Sequence, residues 1–156
     1  MTTAMTGNVD IAVRTQVDYF GAGRYDLAGQ MVTPDYVDHE APPGTPPGPE
    51  GANVVLRWLR GAFADLSYEI CDAFGDGDRV AARLITRGTH TGEFMGTAPT
   101  GRRFEIEAIH IFRIADGKVA EHWDVVNVLP RMIALGLIQP PTSGPKPAED
   151  TTAKPR

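Results

Sequence analysis

The residues best equipped for chemistry lie close together in FEIEAIHIFRIADGKVAEHWDVVNV, residues 104–128, where His110, His122 and Asp124 interrupt a row of alternating apolar and charged positions. Such alternation marks strands with one buried face, and Asp116-Gly117 between two of them marks a hairpin. A three-residue loop, Ala115-Asp116-Gly117 with Gly117 left-handed, sets Ile114 opposite Lys118. Even-numbered residues of both strands then share the apolar face. In that register His110 opposes His122, and Asp124 lies diagonally from His110 with about 5–7 Å between Cβ atoms. A two-residue loop would slip the pairing by one and bring Glu121 and Asn127 beside the apolar row, so the hydrophobic pattern disfavours it.

A carboxylate in an apolar wall is poorly solvated, so its pKa rises from about 4 and it becomes a usable base near neutral pH. Asp124 is therefore the candidate general acid/base, able to take an acidic C–H proton and return it elsewhere, with His110 assisting by a hydrogen bond. The same spacing fits a buried polar pair that only fixes the sheet. His122 reads either as pocket lining or as a cross-strand hydrogen bond, and Trp123 faces the other way, to pack beneath helices or in a subunit contact. His110, His122 and Asp124 would also suffice as three metal ligands, but His39 and His90 add no further ligand spacing, and the reading adopted has no metal.

The elements that must position these groups follow from the rest of the chain. Val9, Val13, Val17 and Phe20 recur at helical spacing and predict a first helix over 8–20, stopped by Gly21 to Gly23. A short second helix fits 24–31, ended by the Thr33-Pro34 step. Tyr36 to His39 is extended, EAPPGTPPGP (40–49) is a loop, and Val54, Val55, Trp58, Leu59 and Ala62 stripe a third helix over 50–63. Strands are predicted over 66–74 and 79–90 around Gly75-Asp76-Gly77-Asp78, then over 102–114 and 118–128, with a loop at 91–101 and a last helix at 129–135 stopped by Gly136. Helices followed by meandering strands make the fold class α+β, helices on one face of a curved sheet. The domain spans 1–138, and the Pro-rich 139–156 is predicted to be a disordered tail. Tyr36, Asp38 and His39 before the Pro/Gly loop, Trp58 on the third helix, and His90 with Phe94 and Met95 at the 91–101 loop are candidate pocket lining.

Composition narrows the function. Fifteen basic against twenty acidic residues give a net charge of −5, with no basic cluster to neutralise a phosphate backbone, so no nucleic-acid partner is expected. No apolar run is long enough to cross a membrane, and the opening MTTAMTGNVDIAV carries no export pattern. The single cysteine, Cys71, has no partner for a disulfide or a metal motif, which fits a reducing cytoplasm. Gly21-Ala22-Gly23 and Gly75-Asp76-Gly77 open no helix after a strand, so no nucleotide site is expected. Ser67, Ser143 and Cys71 lack the context of a covalent nucleophile.

YVDHE (36–40), GDRVAARLITRGTHTGEFMGTAPTGR (77–102) and IFRIADGKVAEHWDVVN (111–127) resemble the SnoaL-like polyketide cyclases, and the likeness runs from about 9 to 138. The resemblance implies the cone-shaped α+β barrel shared with nuclear transport factor two and ketosteroid isomerase, a strongly curved sheet around an apolar pocket capped by N-terminal helices. It implies cofactor-free aldol ring closure of a hydrophobic polyketide ester, with Asp124 as acid/base and His110 as its assistant, in a homodimer or homotetramer. Relatives of this fold also open epoxides, isomerise steroids or only bind small molecules. One departure stands out: the polar amide expected two residues before His110 is Ala108.

Overall fold

The computed structural model describes residues 7–142 and 144. The chain starts with α1 (Gly7–Arg14), whose coil widens to i→i+5 hydrogen bonding over Thr15–Gly21. A 3₁₀ turn (Tyr25–Leu27) leads into α2 (Ala28–Met31), β1 (Val32–Asp38) and the longest helix, α3 (Gly48–Ala62). Four strands follow, β2 (Ser67–Asp76), β3 (Arg79–Thr89), β4 (Arg103–Ala115) and β5 (Lys118–Val126), and then α4 (Val128–Ala134). Most of the helices and strands expected from the sequence thus fall within a few residues of the observed elements. The predicted tail at 139–156 lies mostly outside the described residues.

The five strands form one sheet in the order β1-β5-β4-β3-β2. β2 to β5 pair antiparallel with their sequence neighbours, whereas β1 returns to pair parallel with β5, which makes the sheet mixed and leaves it open between β1 and β2. The α+β class is as expected. Helices cover one face of the sheet. In β4, Phe104, Ile106, Ala108, His110, Phe112 and Ile114 are buried and their odd-numbered neighbours are turned outward. Outside, Arg83 bridges Asp72 and Glu107, and Arg87 bridges Glu69 and Glu105; exposed pairs of this kind add little stability each.

The β4–β5 register differs from the three-residue-loop expectation. Ala115 pairs with Lys118, so the turn has two residues, and both Asp116 (φ 51°) and Gly117 (φ 71°) are left-handed, as a type I′ hairpin requires. The pairing then shifts, from Ile114 opposite Val119 to Arg113 opposite Glu121. Ala120 is the extra residue of a β-bulge, buried beside Val119. That bulge restores the parity that a two-residue turn alone would have broken, so His122 and Asp124 still face inward. It also moves the partners: His110 lies directly opposite Asp124, and Phe112 opposite His122.

Two apolar clusters hold the helices to the sheet. One joins Val9, Tyr19, Phe20, Val55 and Leu56 to Val80, Phe112 and Val119; the other gathers Phe63, Leu66, Phe94, Phe104, Ile106 and Leu135. The Pro/Gly loop packs on the start of α3, where a Cβ on Gly51 would stand 1.7 Å from the Pro46 carbonyl oxygen. Gly136 (φ 76°) ends α4 as expected. No helix among the described residues is long and apolar enough to cross a membrane.

Candidate active site

Between the two apolar clusters lies a cavity of about 300 Å³, walled by Phe20, Val55, Trp58, Leu59, Phe94, Val126 and Val128 and studded with polar groups. Its polar lining comprises Gln16, Asp38, Glu40, Tyr68, His110, His122, Asp124 and Arg131. A smaller inner chamber of about 70 Å³ adjoins it, lined by Phe63, Leu66, Thr86, Phe104 and Ile106, and shares Tyr68, His110, Asp124 and Arg131. These four groups therefore stand where the two spaces meet.

Parallel pairing sets Asp38 beside His122, and the Asp38 Oδ1 atom lies 3.1 Å from His122 Nδ1. His122 Nε2 is in turn 2.8 Å from His110 Nδ1. Burial pushes the Asp38 carboxyl upward, but the bond to His122, the nearby imidazole charge and the Glu40 backbone N–H outweigh it and hold Asp38 below the usual carboxylate range. An ionised Asp38 only accepts, so His122 Nδ1 carries a proton and donates it. Burial, reinforced by His122, holds His110 well below the ordinary imidazole value, so His110 is neutral at neutral pH. When Nδ1 carries the only proton of His122, its Nε2 accepts from His110 Nδ1–H and the outer nitrogen of His110 is a lone pair. One proton added to the pair reverses that bond and turns the same nitrogen into a donor.

Asp124 is half-buried opposite His110. Burial raises its pKa; His122 and Arg131 oppose the rise, while Asp38 and Glu40 add to it. Among the described residues it forms no salt bridge, and its carboxylate faces the cavity. This separates it from Asp38. One acid is fixed in its ionised form by hydrogen bonds, and the other is left free to exchange a proton.

Ligand atoms of His110, His122 and Asp124 all lie within 4.8 Å of one another, a spacing that admits a metal ion. The two imidazoles, however, share a hydrogen bond through their inner nitrogens, and a metal there would require it to break.

The other sequence candidates divide. Trp58 lines the cavity, its ring 5.7 Å from that of Phe94. Tyr36 does not: it is buried beside a separate hollow formed with Thr45, Pro46 and Gly51. His39 falls on the outer face by strand alternation, stacked on Trp123 at 4.5 Å and 3.1 Å from Glu121. Trp123, also outside, lies between His39 and Arg79 rather than beneath a helix. His90 is fully buried and accepts the Thr100 backbone N–H at 3.3 Å, which pins the ends of the 91–101 loop away from the cavity. Met95, left-handed (φ 49°) and 67 % exposed, points to solvent, and its neighbour Phe94 lines the wall instead. Asp38 stood beside Tyr36 in sequence, and alternation along β1 was the signal for their shared inward face. Gln16, Tyr68 and Arg131 carried no such signal. Gln16, in the widened helical coil, supplies an amide to the wall where Ala108 cannot.

The SnoaL-like polyketide cyclase family model matches residues 10–135. The chain belongs to that family. It is 32% identical over 146 residues to the aklanonic acid methyl ester cyclase DnrD of Streptomyces peucetius, covering 92% of this chain and 100% of the relative. It is 32% identical over 133 residues to the nogalonic acid methyl ester cyclase of Streptomyces nogalater, covering 84% and 99%. The structure of TsrD from Streptomyces laurentii superposes with a TM-score of 0.77 at 27% identity, covering 87% of this chain and 100% of that one. The SnoaL-like chain is thus an enzyme of the polyketide cyclase type, built on the α+β cone.

The raised pKa of Asp124 has a measurable consequence for stability. Between the ordinary aspartate value and the raised native one, the folded state keeps a proton the unfolded chain has released, so stability falls as pH rises through that window. Asp124→Asn is therefore expected to melt no lower than wild type at pH 7, with its relative advantage shrinking as the pH falls below both values. A lower melting temperature at pH 7 would identify Asp124 as a satisfied structural partner.

Proposed function

We propose that this chain closes a carbocyclic ring in a hydrophobic polyketide ester by an intramolecular aldol reaction, with Asp124 as the acid/base and His110 as its assistant. The observation that carries this reading is a carboxylate of raised pKa, free of ion pairing among the described residues, facing a largely apolar cavity beside a neutral imidazole.

The steps balance without a cofactor. Asp124 takes a proton from carbon between two carbonyl groups, and the electron pair left behind delocalises as an enolate. That carbon attacks a ketone of the same molecule, forming a C–C bond and opening the C=O π bond. The resulting alkoxide recovers the proton from Asp124, so the product is an isomer of the substrate. His110, paired with His122, holds a hydrogen bond to the reacting oxygen or to Asp124 and accommodates the change of charge through its two proton arrangements.

An epoxide-opening site would be favoured by a second acid across the cavity. The additional acids, Asp38 and Glu40, instead come from the end of β1, adjacent to the strand that carries Asp124. A purely binding module fits poorly with an unpaired acid and an open chamber.

A second copy of the chain is expected on the outer sheet face, where Ile109, Ile111 and Val125 are 43, 41 and 75 % exposed. The exposed, unpaired Cys71 suits the cytoplasm.

Two measurements test these points. Incubated with aklanonic acid or nogalonic acid methyl ester, the wild-type protein should give a product of unchanged mass, and Asp124→Asn should lose about 10²–10⁴-fold in rate. Wild-type turnover in that variant, or conversion of neither ester, would count against the reading. Sedimentation equilibrium should show a dimer or tetramer that Ile111→Glu weakens; a wild-type monomer would remove the second copy.

A further inference from the structure

Arg131 is the one Lys or Arg among the described residues lining either space, in a wall that already carries Asp38, Glu40 and Asp124. Its guanidinium lies over Phe94 and Phe104, 5.1 and 5.9 Å from their centroids. Stacking of this kind holds the charge through its faces and leaves the in-plane N–H edge free. Nε is buried and has no hydrogen-bond partner, and Arg131 enters no salt bridge among the described residues. A buried donor left unpaired is costly, so such a group in a cavity wall points to an acceptor brought by a ligand.

Tyr68 reaches the same junction from β2. Its ring stands edge-on to His110 at 6.4 Å although β3 and part of the sheet's curl lie between their strands. Burial raises its pKa, so the phenol keeps its proton and remains a donor. Burial draws Arg131 below its ordinary value, against Tyr68 and Asp124, and a guanidinium lowered from so high a starting point stays charged.

We propose that Arg131 and Tyr68 form an oxyanion site that binds the two oxygens of a 1,3-dicarbonyl enolate at the junction of the two chambers. The site rests on the acid/base reading of Asp124. When Asp124 takes the proton it becomes neutral, and the negative charge passes to the enolate without changing the total charge of the site. Arg131 then faces the substrate's oxygens in place of the carboxylate. The two oxygens of a 1,3-dicarbonyl enolate lie coplanar on one side, which suits the guanidinium fork, and the Tyr68 hydroxyl donates to the same pair. Such preorganised donors favour the enolate over the neutral ester.

The test uses 1-phenyl-1,3-butanedione, whose enolate absorbs at longer wavelength than its neutral forms, titrated with pH in the presence of the full chain. It is done in the Asp124→Asn background, so that no carboxylate at 124 competes for the charge. The protein should lower the apparent pKa of the bound probe. Adding Arg131→Met should weaken enolate binding about tenfold or more, Arg131→Lys should recover part of it, and Tyr68→Phe should give a smaller loss. Absence of an enolate preference before those changes, or unchanged enolate affinity in Arg131→Met, overturns the proposal. If Arg131→Met does not fold, unchanged affinity in both Arg131→Lys and Tyr68→Phe overturns it equally. Binding and turnover separate the two claims: full ring-closing activity in Asp124→Asn alone defeats the acid/base reading, whereas enolate affinity indifferent to residues 68 and 131 defeats only the oxyanion site.

Discussion

The site depends on one electrostatic contrast: two carboxylates on neighbouring strands, one satisfied and one not. Asp38 is held ionised by His122 and a backbone N–H. Asp124, directly opposite His110, is desolvated without a hydrogen-bonded counterion among the described residues. The imidazoles between them transmit the asymmetry, because an ionised Asp38 fixes the His122 tautomer and so determines what His110 presents. Exchanging the environments of the two acids would leave the same residue types in the cavity and remove the proposed base.

Backbone geometry creates that contrast. The parallel return of β1 onto β5 brings Asp38 to His122, residues 84 positions apart. On the other side of β5, the Asp116-Gly117 turn fixes the hairpin, and the Ala120 bulge adjusts its phase so that Asp124 meets His110. The widened helical coil at Thr15–Gly21 turns Gln16 into the same chamber. Irregular backbone of both kinds is common beside functional sites, where a side chain must be re-aimed. Among the described residues, the Arg131 Nε donor in this wall is buried without a protein partner, at some expense in stability. A ligand that brings an acceptor to it recovers that expense.

Local pattern made much of this legible in the sequence. Alternation in β4 and β5 placed His110, His122 and Asp124 on one apolar face, and Asp-Gly marked their turn. The same pattern could not distinguish a three-residue loop from a two-residue turn compensated by a bulge, because both keep the inward face apolar; only the identity of the cross-strand partner changes. Tyr36 and His39 were grouped with Asp38 by proximity, yet alternation sends His39 outward and the Pro/Gly loop encloses Tyr36 elsewhere. Met95 is a lining candidate by its place in the 91–101 loop, but a left-handed backbone turns it to solvent and leaves Phe94 inside. Tyr68 and Arg131 meet through sheet curvature and the docking of α4, which arise from the packed whole and leave no spacing to read. The family resemblance correctly carried the fold, pointed to Asp124 as the acid/base proposed above, and had nothing to say about these two.

The most direct test of the account is the ionisation of Asp124 itself. Carbon-13 NMR of the aspartate side-chain carboxyls, titrated with pH and assigned by comparison with Asp124→Asn, should show one resonance titrating above the ordinary aspartate value of about 4 that is missing from the variant. A resonance for Asp124 that titrates at or below that value would contradict the central claim, since the carboxylate would then be as well solvated or paired as any surface acid.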